Sequence, residues 1–217
     1  MNSTAHLAVL KLAARGAGLR LPELWWTLFM EILAVDPHAI LAGGALRDAG
    51  HGKTDEVKDL DFFVSAETDL STLECWLAAH EYTLSNSVDL GSVLTDEKTE
   101  VSVSRVFKHP QGGVEVNVIW MADGMKPSDR VSTFDFGICQ IALSAFGPIL
   151  TQAFHVDAVC STFTLISCPN VENFGRSMRR FERLRAKYPK HALVIPPRFA
   201  ELEMHHRAAS DAVDLLS

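Results

Sequence analysis

Two aspartates, Asp59 and Asp61, are the residues of this 217-residue chain whose type and spacing best suit chemistry. They stand two apart in KDLDFFV, and because side chains two apart on a strand share a face, both carboxylates project to the same side. At about 6–7 Å between Cα atoms, their repulsion costs about 2–3 kcal/mol at an effective dielectric of 20. A hard divalent cation such as Mg²⁺ would offset that repulsion, since it prefers oxygen ligands and keeps positions open for phosphate oxygens.

Two adjacent glycines, Gly43 and Gly44, form a second element suited to phosphate chemistry. They follow the short apolar run 39–42 and precede residues of helical character, which predicts a strand, a tight turn and a helix start. Paired glycines let a phosphate approach the backbone, and a helix N-terminus offers unpaired N–H groups; Arg47, one turn later, could add a charge-assisted contact. Taken singly, the glycines could be an ordinary turn, and aspartates like Asp59 and Asp61 often mark exposed strand ends.

The elements that must position these residues mix helix and strand. Helical spacing predicts helices over 5–16 and 23–34, and the second is apolar around much of its circumference. Trp25 and Trp26 are expected in the core, and a base-stacking platform is the alternative. A helix at about 70–82 would begin with a capping box made by Ser71 and Glu74. The other predicted elements are strands at 58–64, 92–97, 99–107 and 113–120, a short helix near Ile138–Ser144, strands around Ile149–Gln152 and Phe163–Ile166, and helices over 171–188 and 198–215.

Composition indicates one sizeable globular domain with a small appendage. The chain is 47% hydrophobic and 22% charged, which excludes a disordered chain, a collagen-like repeat and a coiled-coil rod. The net charge of −7 taken alone argues against nucleic-acid binding. The charge is uneven, however: residues 1–170 carry 11 Lys+Arg against 21 Asp+Glu, whereas residues 171–207 carry 9 against 4.

The cysteines and the apolar segments predict a reduced, cytoplasmic protein without a membrane partner. The four cysteines contain no CxxC pair, so neither a zinc ribbon nor a disulfide framework is indicated, and they are expected to be small buried hydrophobes. No segment approaches about 20 uninterrupted apolar residues, and residues 1–16 lack the apolar core of a signal peptide. The cysteines are Cys75, Cys139, Cys160 and Cys168.

The segment 171–188 predicts an amphipathic helix whose polar face carries one sign of charge. Like charges at i, i+4 destabilise a helix by a few tenths of a kcal/mol each, so an anionic partner such as a nucleotide or a nucleic-acid backbone would offset the repulsion. A merely solvated basic face is the alternative. The basic residues with helical spacing are Arg176, Arg179, Arg180, Arg183 and Lys187, and apolar residues line the other side.

Several motifs together resemble one family. LAGGALRD, a polar loop and KDLDFFV resemble the GGxxRD…DxD signature of the DNA polymerase beta-like nucleotidyltransferase superfamily in its class II form, the head of CCA-adding enzymes and bacterial poly(A) polymerases. GVEVNVIW resembles the strand that carries the family's third acidic residue, and Glu115 matches that residue best. Asn117, two residues later on the same face, is the alternative match. FDFGICQIAL resembles the ribose-binding RRDFTINAL segment, with Asp135 matching its aspartate. VENFGR resembles the base-selecting EDxxR motif, with Asn173 at the Asp position.

The resemblance implies a fold, an activity and a site. The fold would be α+β, with a small mixed-sheet, palm-like head flanked by helices over 1–170 and a basic helical neck-like segment over 171–217. The protein would transfer a nucleoside monophosphate from an NTP to a hydroxyl and release pyrophosphate, with an RNA (tRNA-like) 3′ end as the expected acceptor. Two Mg²⁺ ions, with Mn²⁺ as an alternative, would be held by Asp59, Asp61 and Glu115. The nucleotide-binding residues would be Gly43, Gly44, Arg47, Asp48, Asp135, Asn173, Arg176, Arg179 and Arg180, and the RNA would contact Arg176, Arg179, Arg180, Arg183 and Lys187.

Departures from the family pattern keep other functions open. Thr133 and Phe134 replace the two arginines that precede the family's aspartate, and an Asn at position 173 offers an amide donor as well as an acceptor, so base choice does not carry over. The sequence also shows no helical body of the kind that holds tRNA in the family. The alternatives are transfer to a protein side chain or a small molecule, and a degenerate NTP-binding module without catalysis.

Overall fold

The computed structural model describes the backbone of residues 3–89 and 101–214 and the side chains of residues 4–88 and 101–208. The strands are β1 (Ile40–Ala42), β2 (Asp59–Val64), β3 (Thr83–Asp89), β4 (Val101–Lys108), β5 (Glu115–Met121), β6 (Ile141–Ser144), β7 (Gly147–Leu150), β8 (Thr162–Thr164) and β9 (Ala192–Val194). The helices are α1 (Ser3–Gly16), α2 (Glu23–Val35), α3 (Gly44–Gly50), α4 (Ser71–Ala79), α5 (Gln152–Cys160), α6 (Val171–Lys187) and α7 (Ala200–Asp214).

A mixed sheet of seven strands organises the described residues up to β7. Its strand order is β3-β4-β5-β2-β1-β6-β7, and β2 runs parallel to β5 while the other neighbouring pairs are antiparallel. The predicted α+β class with a mixed sheet and flanking helices is therefore confirmed. The parallel pair of β2 and β5 matters most, because these strands carry the predicted carboxylates side by side.

Alternation along β2 separates a core face from a second face, which carries the two aspartates and, further along, the buried Phe63. Leu60, Phe62 and Val64 are completely buried, whereas Asp59 is exposed and Asp61 half-buried. The ring of Phe62 stacks on Phe29 of α2 at 6.5 Å between centroids. Complete burial of each such side chain contributes roughly 1.5–3 kcal/mol, so the core face fixes the strand and leaves the aspartates on the opposite side.

The chain divides into two compact units. The first comprises Met1–Ser132 and Ile141–Leu150, and the second comprises Thr133–Gln140 and Thr151–Ser217. The second unit thus includes the short segment that contains Asp135. The predicted functional division into a head over 1–170 and a neck over 171–217 stays a prediction.

Several predicted elements correspond to the structure. The helices over 5–16 and 23–34 are α1 and α2, and the strongly amphipathic helix is α6. Trp25 and Trp26 lie in the core as predicted, at 2% and 3% exposure. The predicted strand at 92–97 lies outside the described residues.

Other predictions were wrong at short apolar segments. The helix expected near Ile138–Ser144 is a 3-10 turn, Gly137–Cys139, followed by β6. The pairing of β6 with both β1 and β7 explains the difference, since a short buried run forms a strand where neighbours complete its hydrogen bonds. The strand expected at Ile149–Gln152 ends at Leu150, because Thr151 caps α5 by accepting a hydrogen bond from the backbone N–H of Phe154.

Two local predictions about side chains were also wrong. The capping box at α4 does not form: Asp69 accepts the hydrogen bond from the Ser71 backbone, and Glu74 pairs with Arg105. Cys139 and Cys168 are buried as expected, but Cys75 and Cys160 are exposed.

Candidate functional site

The two aspartates lie at the start of β2, on the face opposite its core face. In the register of the sheet, Asp61 pairs with Ala42 of β1, so the Gly43-Gly44 turn comes directly after the strand neighbour of Asp61. On the other side, Asp59 pairs with Glu115 and Asp61 with Asn117 in the parallel strand β5. Glu115 and Asn117, the two candidates for the third metal ligand, therefore lie on the same face of the sheet as the aspartates.

The two candidates on β5 have different partners. The Glu115 carboxylate lies 2.8 Å from the Nζ of Lys108. The Asn117 amide donates from Nδ2 to Oδ1 of Asp61 at 2.8 Å, and its own Oδ1 is buried without a hydrogen-bond partner within the described residues. In those residues no three His, Cys, Asp or Glu side chains gather into a metal-binding group. Asp59 and Asp61 nonetheless offer the hard oxygen ligands that Mg²⁺ prefers, so the donor set fits this ion.

The Gly43-Gly44 turn has a conformation that requires glycine. Gly43 has φ +81° and ψ −131°, a region that side-chain-bearing residues avoid, and its N–H donates to the carbonyl of Ile141 at 2.9 Å. Gly44 is the first residue of α3, a helix of 7 residues. Its first backbone N–H groups have no partner within the helix, as at every helix start.

Arg47 and Asp48 form a buried ion pair in α3. The Arg47 Nη2 lies 2.6 Å and its Nε 2.8 Å from Oδ1 of Asp48, and the two side chains are 5% and 7% exposed. The guanidinium also lies against the turn, 3.6 Å from where a Cβ on Gly44 would stand. The buried ion pair thus packs against the glycine turn and stabilises it. The predicted contact of Arg47 and Asp48 with the nucleotide stays a prediction.

Asp135 is the centre of a polar cluster in the second unit. Its carboxylate accepts hydrogen bonds from Arg180 Nη1 at 2.8 Å, from Ser177 Oγ at 3.0 Å and from the Phe136 backbone at 3.0 Å. Burial raises the pKa of the nearby Cys168 thiol, and the charge of Asp135 raises it further, while a hydrogen bond with Asn170 lowers it. The carboxylate predicted to bind ribose is thus already engaged by α6.

The first turn of α6 fixes the amide of Asn173. The Oδ1 of Asn170, the residue that caps α6, accepts from the backbone N–H of Asn173 at 2.9 Å and from its Nδ2 at 3.0 Å. Further along α6, three arginines are exposed and form no ion pair or hydrogen bond with other described residues: Arg176, Arg179 and Arg183. Arg180 instead faces Asp135.

A cavity of about 440 Å³ lies at the other end of β2 and β5. Its lining includes Arg105 and Trp120, with the guanidinium 5.2 Å from the ring centroid, and none of the predicted site residues. Arg105 pairs with Glu74, and the Trp120 indole donates to the carbonyl of Thr68. Because these polar groups satisfy one another, the carboxylate face of β2 remains the better candidate site.

Several solved structures are similar in fold to this chain. A CCA-adding enzyme in its apo form I matches with a TM-score of 0.57 at 12% identity, over 95% of this chain and 46% of that one. A tRNA-processing enzyme in its apo form I matches with a TM-score of 0.55 at 17% identity, over 85% and 47%. The Thermotoga maritima CCA-adding enzyme complexed with tRNA matches with a TM-score of 0.52 at 14% identity, over 93% and 44%. The chain has a nucleotidyltransferase fold.

The similarity concerns the fold of part of those enzymes. The chain spans about half the length of the structures it matches. No protein-family model and no curated protein matches the sequence. The nucleotidyltransferase fold confirms the expectation that the motifs raised, whereas the roles of individual residues remain predictions.

Within the nucleotidyltransferase fold, the predicted site residues fall into one set per unit. The first unit holds Gly43, Gly44, Arg47, Asp48, Asp59, Asp61 and Glu115, and the second holds Asp135, Asn173, Arg176, Arg179 and Arg180. Sequence reasoning missed three residues that contact these sets: Lys108, Asn170 and Ser177. Asn170 could have been found, since an Asn just before a helical segment is a typical cap. Lys108 and Ser177 meet their partners only through the tertiary fold.

No helix in the described part of the chain is long and apolar enough to cross a membrane.

Proposed function

We propose that this protein is a metal-dependent nucleotidyltransferase that transfers a nucleoside monophosphate from an NTP to an acceptor hydroxyl. The observation that carries the proposal is the pairing of Asp61 with Ala42, which sets two carboxylates beside a glycine turn of positive φ. Carboxylates beside an approachable backbone turn suit a cation and a phosphate chain together. The nucleotidyltransferase fold supports the same chemistry by analogy.

In this proposal Asp59 and Asp61 hold Mg²⁺, with two ions expected and Mn²⁺ able to replace them. The resemblance assigns Glu115 as a third ligand, and this residue would then exchange its contact with Lys108 for the ion. When bound, the ions neutralise charge on the α-phosphate and on the leaving pyrophosphate. The acceptor oxygen would form its bond to the α-phosphorus while the bond to pyrophosphate breaks, and the hydroxyl proton would pass to solvent water.

The remaining predicted residues bind and orient the nucleotide. The backbone at Gly43 and Gly44 would receive the triphosphate, with Arg47 and Asp48 bracing the turn. In the second unit, Asp135, which accepts a hydrogen bond from Arg180, would contact the ribose. Asn173, Arg176, Arg179 and Arg180 would contact the rest of the nucleotide.

We propose an RNA 3′ end of tRNA-like type as the acceptor. The exposed arginines of α6 carry no competing carboxylate within the described residues, and phosphate contacts require such cations. One solved structure of the same fold is a CCA-adding enzyme complexed with tRNA. A cytoplasmic location belongs to the same proposal.

An incorporation assay tests the proposal. The protein is incubated with Mg²⁺, total RNA and one labelled NTP at a time, beside the double variant Asp59→Ala/Asp61→Ala. Label should enter RNA and fall by about 1,000-fold in the variant, because the carboxylates hold ions that supply several kcal/mol. Asp123→Ala, an exposed aspartate after β5, is the matched control and should retain activity.

The outcomes separate the alternatives. Equal labelling by wild type and double variant would exclude the enzymatic proposal. Binding of NTP without incorporation would indicate the non-catalytic module that Thr133 and Phe134 suggest. Label in protein or in a small molecule, but not in RNA, would contradict the RNA acceptor and favour a modifying enzyme.

A further inference from the structure

We propose that Asn117 is a ligand of the metal that Asp59 and Asp61 hold, through its amide oxygen Oδ1. The inference rests on the proposed function and deepens it, because it replaces the carboxylate expected at the third position by a neutral amide. Three observations carry it: the register of β5, the hydrogen bond to Asp61, and an amide oxygen without a partner.

The register places Asn117 beside the more buried aspartate. Asn117 pairs with Asp61 across the parallel strands, and Glu115 pairs with the exposed Asp59, the first residue of β2. A side chain next to Asp61 therefore has the shorter path to an ion bound by that carboxylate.

The hydrogen bond fixes the amide so that its oxygen is the open group. Nδ2 donates to Oδ1 of Asp61 at 2.8 Å, which directs the amide toward the carboxylate. The opposite orientation would put two acceptors against each other, so the donor must face Asp61. The hydrogen bond thus orients Asp61 and leaves Oδ1, the other polar atom of the Asn117 amide, for a further partner.

The partnerless oxygen indicates a missing ligand. A buried carbonyl-type oxygen that has lost water and gained no donor is costly, and such groups in native proteins need an explanation. Oδ1 of Asn117 is in that state within the described residues. A hard cation next to Asp61 would satisfy it, because amide oxygens are ordinary ligands of such ions.

Glu115 is less well placed for the same task. Its carboxylate is engaged by Lys108 at 2.8 Å, and moving it would separate an existing ion pair. No third Asp, Glu, His or Cys joins Asp59 and Asp61 within the described residues. The ligand set at Asp61 then carries one negative charge fewer than a three-carboxylate site.

Metal binding without nucleotide or acceptor tests the inference. Free Mn²⁺ is measured by electron paramagnetic resonance during titration of wild type, Asn117→Leu and Asn117→Asp. The leucine variant should bind Mn²⁺ about tenfold or more weakly, because a ligand is lost. The aspartate variant keeps an oxygen but loses the Nδ2 donor, and it should bind about tenfold more tightly, because ligand charge is added.

The leucine and aspartate variants both lose the Nδ2 donor to Asp61, so they differ in the oxygen at position 117. At about 0.5 M salt an added charge that does not touch the ion is largely screened, so tighter binding in the aspartate variant under that condition requires a ligand oxygen. Asn86→Asp, on the exposed strand β3, is the matched control and should leave the Mn²⁺ affinity unchanged. Weaker or unchanged binding in Asn117→Asp would overturn the inference, as would a larger loss in Glu115→Gln than in Asn117→Leu. If wild type binds Mn²⁺ no better than Asp59→Ala/Asp61→Ala, the metal site of the proposed function fails instead.

Discussion

At the scale of single residues, the carboxylates differ in what already engages them. Asp59 is exposed, Asp61 accepts a hydrogen bond from the Asn117 amide among its contacts, and Glu115 is paired with a lysine. Asp135 accepts from an arginine, a hydroxyl and a backbone N–H. Since an engaged carboxylate must break contacts to take a new ligand, the exposed Asp59 is better prepared for a cation than Asp135 is for a ribose hydroxyl.

The charge of Asp135 gives a measurable prediction at Cys168. Burial raises the pKa of this thiol, and the negative charge of Asp135 adds to the increase because it opposes the thiolate. Asp135→Asn removes the charge, so the pKa of Cys168 should fall and the thiolate should form at lower pH. The rate of iodoacetamide alkylation at Cys168, followed by mass spectrometry from pH 7 to 10, should show its midpoint move downward.

A matched variant separates charge from local loosening. Ser177→Ala removes a hydrogen bond to Asp135 but keeps the charge, so the alkylation midpoint should stay in place. The exposed Cys75 and Cys160 serve as internal standards in every sample. An unchanged midpoint in Asp135→Asn would contradict the electrostatic account of Cys168.

At the scale of elements, sequence periodicity predicted what is local. The long amphipathic α6 and the apolar α2 were found because 3.6-residue spacing is clear over many residues. β6 was mistaken for a helix because a four-residue apolar run has no period of its own. α5 was missed because its apolar residues form no single stripe, and Val156 and Val159 are exposed.

The candidate site follows the same rule. The DxD spacing and the glycine pair could be read directly, because each lies within one element and its adjoining turn. The partnership of Asn117 with Asp61 could not, because it depends on the register between strands 56 residues apart in sequence. Lys108 is a similar case, since its contact with Glu115 requires the antiparallel pairing of β4 and β5.

Asp157 of α5 is an element-scale anchor that the motifs did not indicate. Its carboxylate is completely buried and accepts from the backbone N–H groups of Ile138 and Thr164 at 2.8 and 3.0 Å. The hydroxyls of Thr162 and Thr164 also donate to it. A Cβ at Gly137 would lie 2.7 Å from the carboxylate, so the glycine allows this close approach.

Asp157→Ala should loosen the turn at residues 137–139 and strand β8 together. Loss of the carboxylate removes the partner of one buried donor and of three half-buried donors, which together costs about 3 kcal/mol or more. Amide hydrogen exchange at Ile138 and Thr164 should therefore accelerate by about 100-fold or more, while Asp123→Ala should leave both rates unchanged. Equal protection in Asp157→Ala and wild type would show that the turn is held by other contacts.

At the scale of the whole molecule, the positive charge belongs to one helix rather than to a unit. Residues of the second unit carry 9 Lys+Arg against 8 Asp+Glu, whereas α6 alone carries 6 against 2. The net charge of −7 therefore hides a local cationic surface on α6. A polyanion would be attracted to that helix and repelled by the first unit, with its 11 Lys+Arg against 19 Asp+Glu.

This distribution predicts a small, salt-dependent RNA footprint confined to α6. If Arg176, Arg179 and Arg183 contact phosphates of a single strand, the triple Arg→Gln variant should lower the slope of log K against log salt by about 2, since each contact contributes about 0.7. Fluorescence anisotropy of a labelled RNA 3′-end oligonucleotide, measured across salt concentrations, gives the slope.

Arg185→Gln is the matched control for this prediction. It removes an α6 charge that already pairs with Glu182 and should change the slope far less. Equal slopes for the triple variant and wild type would exclude α6 as the RNA contact. A smaller slope with unchanged Mn²⁺ affinity would assign RNA binding and metal binding to separate groups of this chain.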